Sequence, residues 1–307
     1  MAKRGLIVTY YFPPTGGGGV QRWVKYIKYL SRLGWQFTVI TSPHETRNPR
    51  DDTLLREIPQ ETEIIYTPSR TVKPAGSIFK FLRNSGYWQR WLSAFIHITD
   101  SRKKWNRQAK KIIIDQISKT EYDAVIFSIP PYSIAFLAAE FSGKLNCPVY
   151  LDFRDPWTRN PYKIYPTVIH RYWDSFREKH TVLKVDRIIS AYDSLIKDFE
   201  NRISGFTGKP NLFLPNGFDE ADFNEIDNTP FMPGEGIQIG FSGSVYSHLN
   251  TPQILFKAIQ VLKKKNVNVH FNHIGTSVYD LKKWAEKYGV GEQVHLWGYR
   301  PHKECLS

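Results

Sequence analysis

The sequence predicts an α/β chain built on parallel sheets, and three observations carry that expectation. Short apolar runs alternate with segments of helical periodicity over the first 217 residues. An acidic stretch carrying Pro and Gly then interrupts the pattern, and beyond it the alternation resumes. Strands alternating with helices of this length call for a parallel sheet covered on both faces.

RGLIVTY (4–10) is short, apolar and β-branched, the pattern of a buried strand. After four glycines, Val20, Val24, Ile27 and Leu30 recur at helical spacing, with Gly34 as the stop. QFTVITS (36–42) and EIIYT (63–67) read as strands. A helix follows with Trp105, Ala109, Ile112, Ile113 and Ile117 on one face, then the strand DAVIFSI (123–129) and a helix over PYSIAFLAAEFSG (131–143). The strands PVYLDFR (148–154), DRIISA (186–191) and NLFLPNG (211–217) complete the first half. FDEADFNEIDNTPFMPGEG (218–236) has the composition of a linker. Beyond it come GIQIGFSGS (236–244), a helix from Thr251 to Lys264, VHFNHIG (269–275), a helix over 277–288 and VHLWGY (294–299). The expected organisation is a first domain over 1–222, a linker over 223–235 and a second, incomplete doubly wound domain over 236–307.

The 307 residues and 41% hydrophobic content suit two ordinary domains. Cys147 and Cys305 are the two cysteines, and they stand far apart in the sequence. That argues against a disulfide framework and for a reducing, cytoplasmic compartment. MAKRGLIVTYYF has the charge of a signal peptide, but its apolar part is short and runs into Pro-Pro and the glycines. No uninterrupted apolar span reaches membrane-crossing length. The net charge of +13 points to an acidic partner: nucleic acid, anionic lipid or a phosphorylated small molecule.

TYYFPPTGGGGVQRW (9–23) joins the first strand to the first helix. A Gly-rich turn between strand and helix points backbone N–H groups at an anion. The dinucleotide fingerprint G-x-G-x-x-G fails, because its third position falls on Gln21 or Arg22, and no Gly-Lys-Ser/Thr follows. The stretch is either a flexible connection or a surface that a charged ligand approaches closely. Four glycines where one would serve favour the ligand.

These residues resemble the opening of bacterial family-4 glycosyltransferases of the GT-B fold, particularly the branch acting in polysaccharide assembly. The resemblance continues through DSRKKW (100–105), SIPPYS (128–133), LDFRDPWT (151–158), LPNGFDEADF (214–223) and IGFSGSVYSHLNTPQILFKAI (239–259), in the family's order. It implies two Rossmann-like domains facing each other, the first holding mainly the acceptor and the second mainly the sugar-nucleotide donor. It places Gly16, Gly17, Gly18 and Gly19 beside the donor's diphosphate, where amide donors need no reorganisation. Arg22, one turn into the helix, either adds charge to that phosphate or lies on the surface. Arg154, Asp155 and Trp157 follow a strand, where ligands bind in open α/β sheets. Asp155 matches the family's polar residue near the transferred sugar, able to hold a hydroxyl or assist proton movement. Its alternatives are a cap on the following turn or an ion pair with Arg154 or Arg159, and Asp152 is the second choice. Asn216, in the PNG turn, falls at the family's hinge, and its turn chemistry favours a structural interdomain turn over a ligand contact. Gly243 and Ser244 lie in the loop that relatives set against the donor phosphates.

The chain departs from the family pattern in two places. Many relatives have Arg immediately after the glycine of that loop and Lys several residues on; here Ser244 takes the first place and no Lys follows, with His248 a partial substitute. Relatives also carry a glutamate pair, eight residues apart, in a region that would lie beyond GYRPHKECLS, so the second domain is expected to be truncated.

The implied reaction is transfer of a hexose-type sugar from a nucleotide-diphosphate sugar to a saccharide, lipid-linked acceptor. It would be retaining and metal-independent, since the sequence holds no Asp-x-Asp motif. Between Ile78 and Lys111 nine Lys/Arg stand against one Asp, interleaved with seven aromatics. Residues 78–98 thus have the composition of a segment lying on an anionic membrane, and peripheral attachment to the inner face of the plasma membrane is the matching location. No RNA-binding signature accompanies the basic residues, which leaves nucleic acid out. The alternative readings are a nucleotide-sugar 2-epimerase of the same fold and a non-catalytic remnant that binds membrane or acceptor.

Overall fold

The computed structural model describes residues 2–44, 49–68, 94–224, 235–245, 251–277 and 279–306. The chain forms two compact units. Unit 1 is Met1–Pro13, Gly19–Glu45 and Arg56–Gly217, and unit 2 is Pro14–Gly18, Thr46–Leu55 and Phe218–Ser307.

Unit 1 carries a seven-stranded parallel sheet of β1 (Lys3–Thr9), β2 (Trp35–Thr41), β3 (Glu63–Tyr66), β4 (Ala124–Ile129), β5 (Val149–Phe153), β6 (Arg187–Ser190) and β7 (Asn211–Phe213). Its order is β3-β2-β1-β4-β5-β6-β7. The helices are α1 (Gly18–Arg32), α2 (Lys103–Lys119), α3 (Ala135–Phe141), α4 (Val168–Lys184) and α5 (Asp193–Arg202). Helices cover both faces of the sheet, so central strands such as β4 are buried at every position. Leu6, Val8, Val125, Phe127, Leu151 and Phe153 form the core of one face. Strand order reverses between β1 and β4, and the carboxyl ends of these strands flank the crevice where open α/β sheets take ligands.

Unit 2 carries a parallel sheet of β8 (Ile237–Ser242), β9 (Val269–Ile274) and β10 (Val294–Gly298) in the order β10-β9-β8. Helices α6 (Gln253–Lys264), α7 (Leu281–Lys287) and α8 (His302–Leu306) accompany it. Phe256, Ile259, Val269, Phe271, Ala285 and Val290 form its core.

The structure redraws several expected elements. The helix over 131–143 is a 3-10 turn, Tyr132–Ile134, followed by the shorter α3. The helix over 277–288 begins only at Leu281, because Asp280 accepts the Lys283 N–H and caps it there. The strand over 211–217 shortens to β7, an exposed edge strand. Helices α4 and α5 were not anticipated. In α4 the cause is an inverted pattern, since the buried positions are Asp174, Glu178, Thr181 and Val182.

Residues 225–234 of the expected linker, 78–93 of the expected membrane segment and His248 lie outside the described residues. Among the described residues no helix is long and apolar enough to cross a membrane.

Candidate functional site

In unit 1 the connections after β1, β4 and β5 converge on the strand ends. Asp152, on β5, is fully buried and stands in register with Ser128 of β4. Its carboxylate accepts from Ser128 Oγ at 2.8 Å, Trp23 Nε1 at 2.8 Å, Arg22 Nη2 at 2.9 Å and Arg22 Nε at 3.3 Å. Arg22 Nη1 then donates to Asn216 Oδ1 at 2.8 Å. A buried ion pair persists only when further hydrogen bonds satisfy both ions, and this one has them.

The surface position weighed for Arg22 is therefore corrected: its side chain is 2% exposed and its charge is already met by Asp152. From there it orders Asn216, an exposed residue of the PNG turn, while Tyr26 Oη donates to the Pro215 carbonyl 2.7 Å away. Arg154 is buried too, and its guanidinium donates to the carbonyls of Gly19, Ile129 and Pro130. Burial pulls its pKa down while Asp152 and Asp155 hold it up. It ties the start of α1 to the end of β4 through these carbonyls.

Trp157 is the clearest correction. It was expected to meet the acceptor but is fully buried, stacked on Tyr132 at 5.7 Å, with Nε1 donating to Asp174 at 3.1 Å. A side chain with no exposed surface touches no ligand. Asp174 and Glu178, one turn apart on α4, pin the loop after β5 from beneath. Asp174 also accepts from Thr99 at 2.9 Å, Lys163 at 2.5 Å and Tyr165 at 2.6 Å. Glu178 accepts from the Thr158 backbone and hydroxyl and pairs with Arg202 at 2.8 Å.

Asp155 differs from these carboxylates. It is half-buried and takes no hydrogen bond among the described residues. Neither of its expected ion pairs forms as a direct contact, because Arg154 is spent on carbonyls and Arg159 lies 3.7 Å from Asp198. Burial pushes its pKa above the usual carboxylate value, with Arg154 partly opposing. A carboxylate so placed suits proton exchange with a substrate hydroxyl.

Beside these strand ends lies a groove of about 320 Å³ whose lining includes Tyr11, Asp100, Arg102, Tyr132, Asn160 and Lys163. Asp100 accepts from Ser133 N at 2.7 Å and Ser133 Oγ at 2.6 Å, which joins the DSRKKW and SIPPYS motifs in space. Asn160 Nδ2 donates to Tyr132 Oη at 2.8 Å. Burial pushes the Tyr132 hydroxyl up, and Asp155 adds to the rise. Sequence reasoning missed this groove's walls, although both motifs that frame it had been singled out.

The four glycines divide by cause. Gly17 has φ +106°. A Cβ on Gly16 would run into the Tyr299 hydroxyl, and one on Gly19 would lie 3.1 Å from Arg154 Nη1. Gly18 has neither reason: its φ is ordinary and a Cβ would meet nothing within 4 Å. It stands at the first position of α1, where amide N–H groups lack intrahelical partners.

In unit 2 glycines end all three strands. Gly243, Gly275 and Gly298 have φ of +150°, +142° and +70°. Gly243 N donates to the Ile274 carbonyl and Gly275 N to the Gly298 carbonyl, both at 2.8 Å. A Cβ on Gly275 would strike the Gly243 backbone. Ser244 Oγ lies 2.9 Å from Thr276 Oγ1, linking the loops after β8 and β9. These strand ends are bare backbone, the form in which a polypeptide approaches phosphate closely.

No protein-family model matches the chain, and no curated protein is significantly similar in sequence. Solved structures do match. Sucrose-phosphate synthase from Thermosynechococcus elongatus superposes with a TM-score of 0.60 at 11% identity, over 99% of this chain and 72% of that one. HepE from Anabaena, in complex with UDP-glucose, gives 0.61 at 11% identity over 99% and 70%. WaaG, a glycosyltransferase involved in lipopolysaccharide biosynthesis, gives 0.57 at 14% identity over 98% and 71%. At such identities the likeness is one of fold, and the fold is α/β of the GT-B glycosyltransferase kind.

Proposed function

We propose that this chain is a glycosyltransferase that moves a hexose-type sugar from a nucleotide-diphosphate sugar to a saccharide acceptor. The acceptor is lipid-linked, the setting is cell-surface polysaccharide synthesis at the cytoplasmic face of the plasma membrane, and the reaction is retaining and metal-independent. The observation that carries this reading is the half-buried carboxylate of Asp155, after β5, which takes no hydrogen bond among the described residues. It is supported by the fold shared with HepE, which was solved with UDP-glucose, and with WaaG.

In this mechanism the amide at Gly18, at the start of α1, receives the diphosphate as it departs, so the negative charge meets a preset dipole. The groove beside Tyr11, Tyr132 and Asn160 holds the acceptor through aromatic faces and hydrogen bonds. The bond from the anomeric carbon to the phosphate oxygen breaks as the acceptor oxygen bonds to that carbon. Asp155 holds a sugar hydroxyl or takes the acceptor's proton. The opposing charge supplied by Arg in many relatives is absent, and backbone dipoles carry more of that load.

The test is product analysis with UDP-glucose and other nucleotide-diphosphate sugars, presented with lipid-linked saccharide acceptors. Transfer with retained anomeric configuration, undiminished by chelator, supports the proposal. Conversion of the donor to its 2-epimer without transfer would replace it with the epimerase reading.

A further inference from the structure

Helix α4 is amphipathic in the wrong sense for a helix that only packs on a sheet. Its inward face carries Asp174 and Glu178, both fully buried and satisfied. Its outward face carries Val168, Ile169, Tyr172, Trp173 and Phe176, with the first four 83%, 65%, 69% and 48% exposed. Positions 168, 169, 172, 173 and 176 fall on one stripe of a helix. Phe95 and Ile96, also exposed, extend the patch, since the His170 ring lies tilted against Phe95 at 5.0 Å and 3.2 Å from its carbonyl. Soluble surfaces scatter large apolar residues singly; a contiguous stripe marks a binding surface.

Cations border the stripe. A groove of about 380 Å³ between α4 and the end of α5 is lined by Arg159, Arg171, Lys179 and Arg202, with Tyr172 and Phe176 among its walls. Arg202 is committed to Glu178 and Asp198, and Arg159 approaches Asp198. Arg171 and Lys179 have no side-chain partner among the described residues. Both carboxylates of α4 are buried, so the charges this helix shows to solvent are positive.

We propose that the exposed face of α4 docks on an anionic phospholipid bilayer, with Tyr172, Trp173 and Phe176 entering the interface and a lipid phosphate in the groove beside Arg171 and Lys179. Charge decides the occupant. Trp and Tyr are amphipathic rings suited to the headgroup level, and Lys/Arg near an anionic leaflet are attracted to it. A second copy of this chain meeting the same face would set Arg171 and Lys179 against their own kind, which opposes association. The inference does not depend on what reaction the chain performs.

The experiment is co-sedimentation of the full chain with phosphatidylcholine vesicles and with vesicles also containing phosphatidylglycerol. The wild-type protein binds the anionic vesicles more tightly, and salt weakens the binding. Replacing Arg171→Gln and Lys179→Gln together lowers affinity for the anionic vesicles about thirty-fold. Replacing Tyr172→Ser, Trp173→Ser and Phe176→Ser together also lowers vesicle binding. Thermal melts of both variants stay at the wild-type value, because none of these side chains is part of the core. The proposal is overturned if both variants bind as wild type does, which moves any membrane contact elsewhere on the chain. Equal wild-type binding to both vesicles, or to neither, overturns it as well. So does light scattering that finds a wild-type dimer which the serine variant splits.

Discussion

The two sheets finish their strands in opposite ways. In unit 1 the carboxyl ends of β4 and β5 are crowded with charged side chains that satisfy one another: Asp152 with Arg22, Trp23 and Ser128, and Arg154 with three carbonyls. In unit 2 the ends of β8, β9 and β10 are glycines, and the backbone itself is the surface. The first arrangement fixes geometry, and within it Asp155 takes no hydrogen bond among the described residues. The second presents dipoles without side chains. Holding a substrate hydroxyl calls for the first kind of surface, and dispersing charge on a phosphate calls for the second.

The contrast predicts a graded set of losses. The largest falls on unit 1: Asp152→Ala strands the Arg22 guanidinium in the core and costs about 3–5 kcal/mol of stability, read by urea denaturation. Asp152→Leu combined with Arg22→Met recovers much of that loss, since removing both partners leaves no uncompensated charge.

Asp155→Asn separates function from fold. Turnover falls by about 10²–10⁴-fold if Asp155 handles the proton, while donor binding persists. Stability moves the other way. The folded chain raises the Asp155 pKa, so ionisation costs folding free energy as pH rises through that value. The Asn variant therefore melts at or above the wild-type temperature at neutral pH. Its advantage disappears as pH falls below the unfolded carboxylate range, where both states hold the proton. A lower neutral-pH melting temperature would assign Asp155 a structural role.

The smallest effect on the fold comes from Gly18→Ala. A Cβ there meets open space, and exchanging Gly for Ala at a helical position stabilises by about 0.5–1 kcal/mol. Donor affinity nevertheless falls, because the methyl stands where phosphate approaches. Gly275→Ala gives the reverse contrast, damaging unit 2 itself through the clash with the Gly243 backbone.

Much of the scaffold was legible in the sequence because buried parallel strands are continuous apolar runs. RGLIVTY, DAVIFSI and PVYLDFR name β1, β4 and β5 almost residue for residue. Helix α4 was illegible for a physical reason: periodicity searches assume an apolar inner face, and here Asp174 and Glu178 face inward. The site was read at the level of loops and misread at the level of side chains. Spacing placed Arg22 in the first helix and Arg154 and Trp157 after a strand, but only the fold reveals that Asp152 and Asp174 consume Arg22 and Trp157 internally. The four glycines show the same limit. Three answer to the chain's own neighbours or backbone angles, and Gly18 has neither cause.

The central claim is that bare strand ends and an unsatisfied carboxylate serve a sugar-nucleotide donor. Calorimetric titration of UDP-glucose and other nucleotide-diphosphate sugars into the wild-type chain tests it most directly. The account predicts saturable heat with at least one of them, retained in Asp155→Asn and weakened in Gly18→Ala. No heat from any of them at millimolar concentration would contradict it.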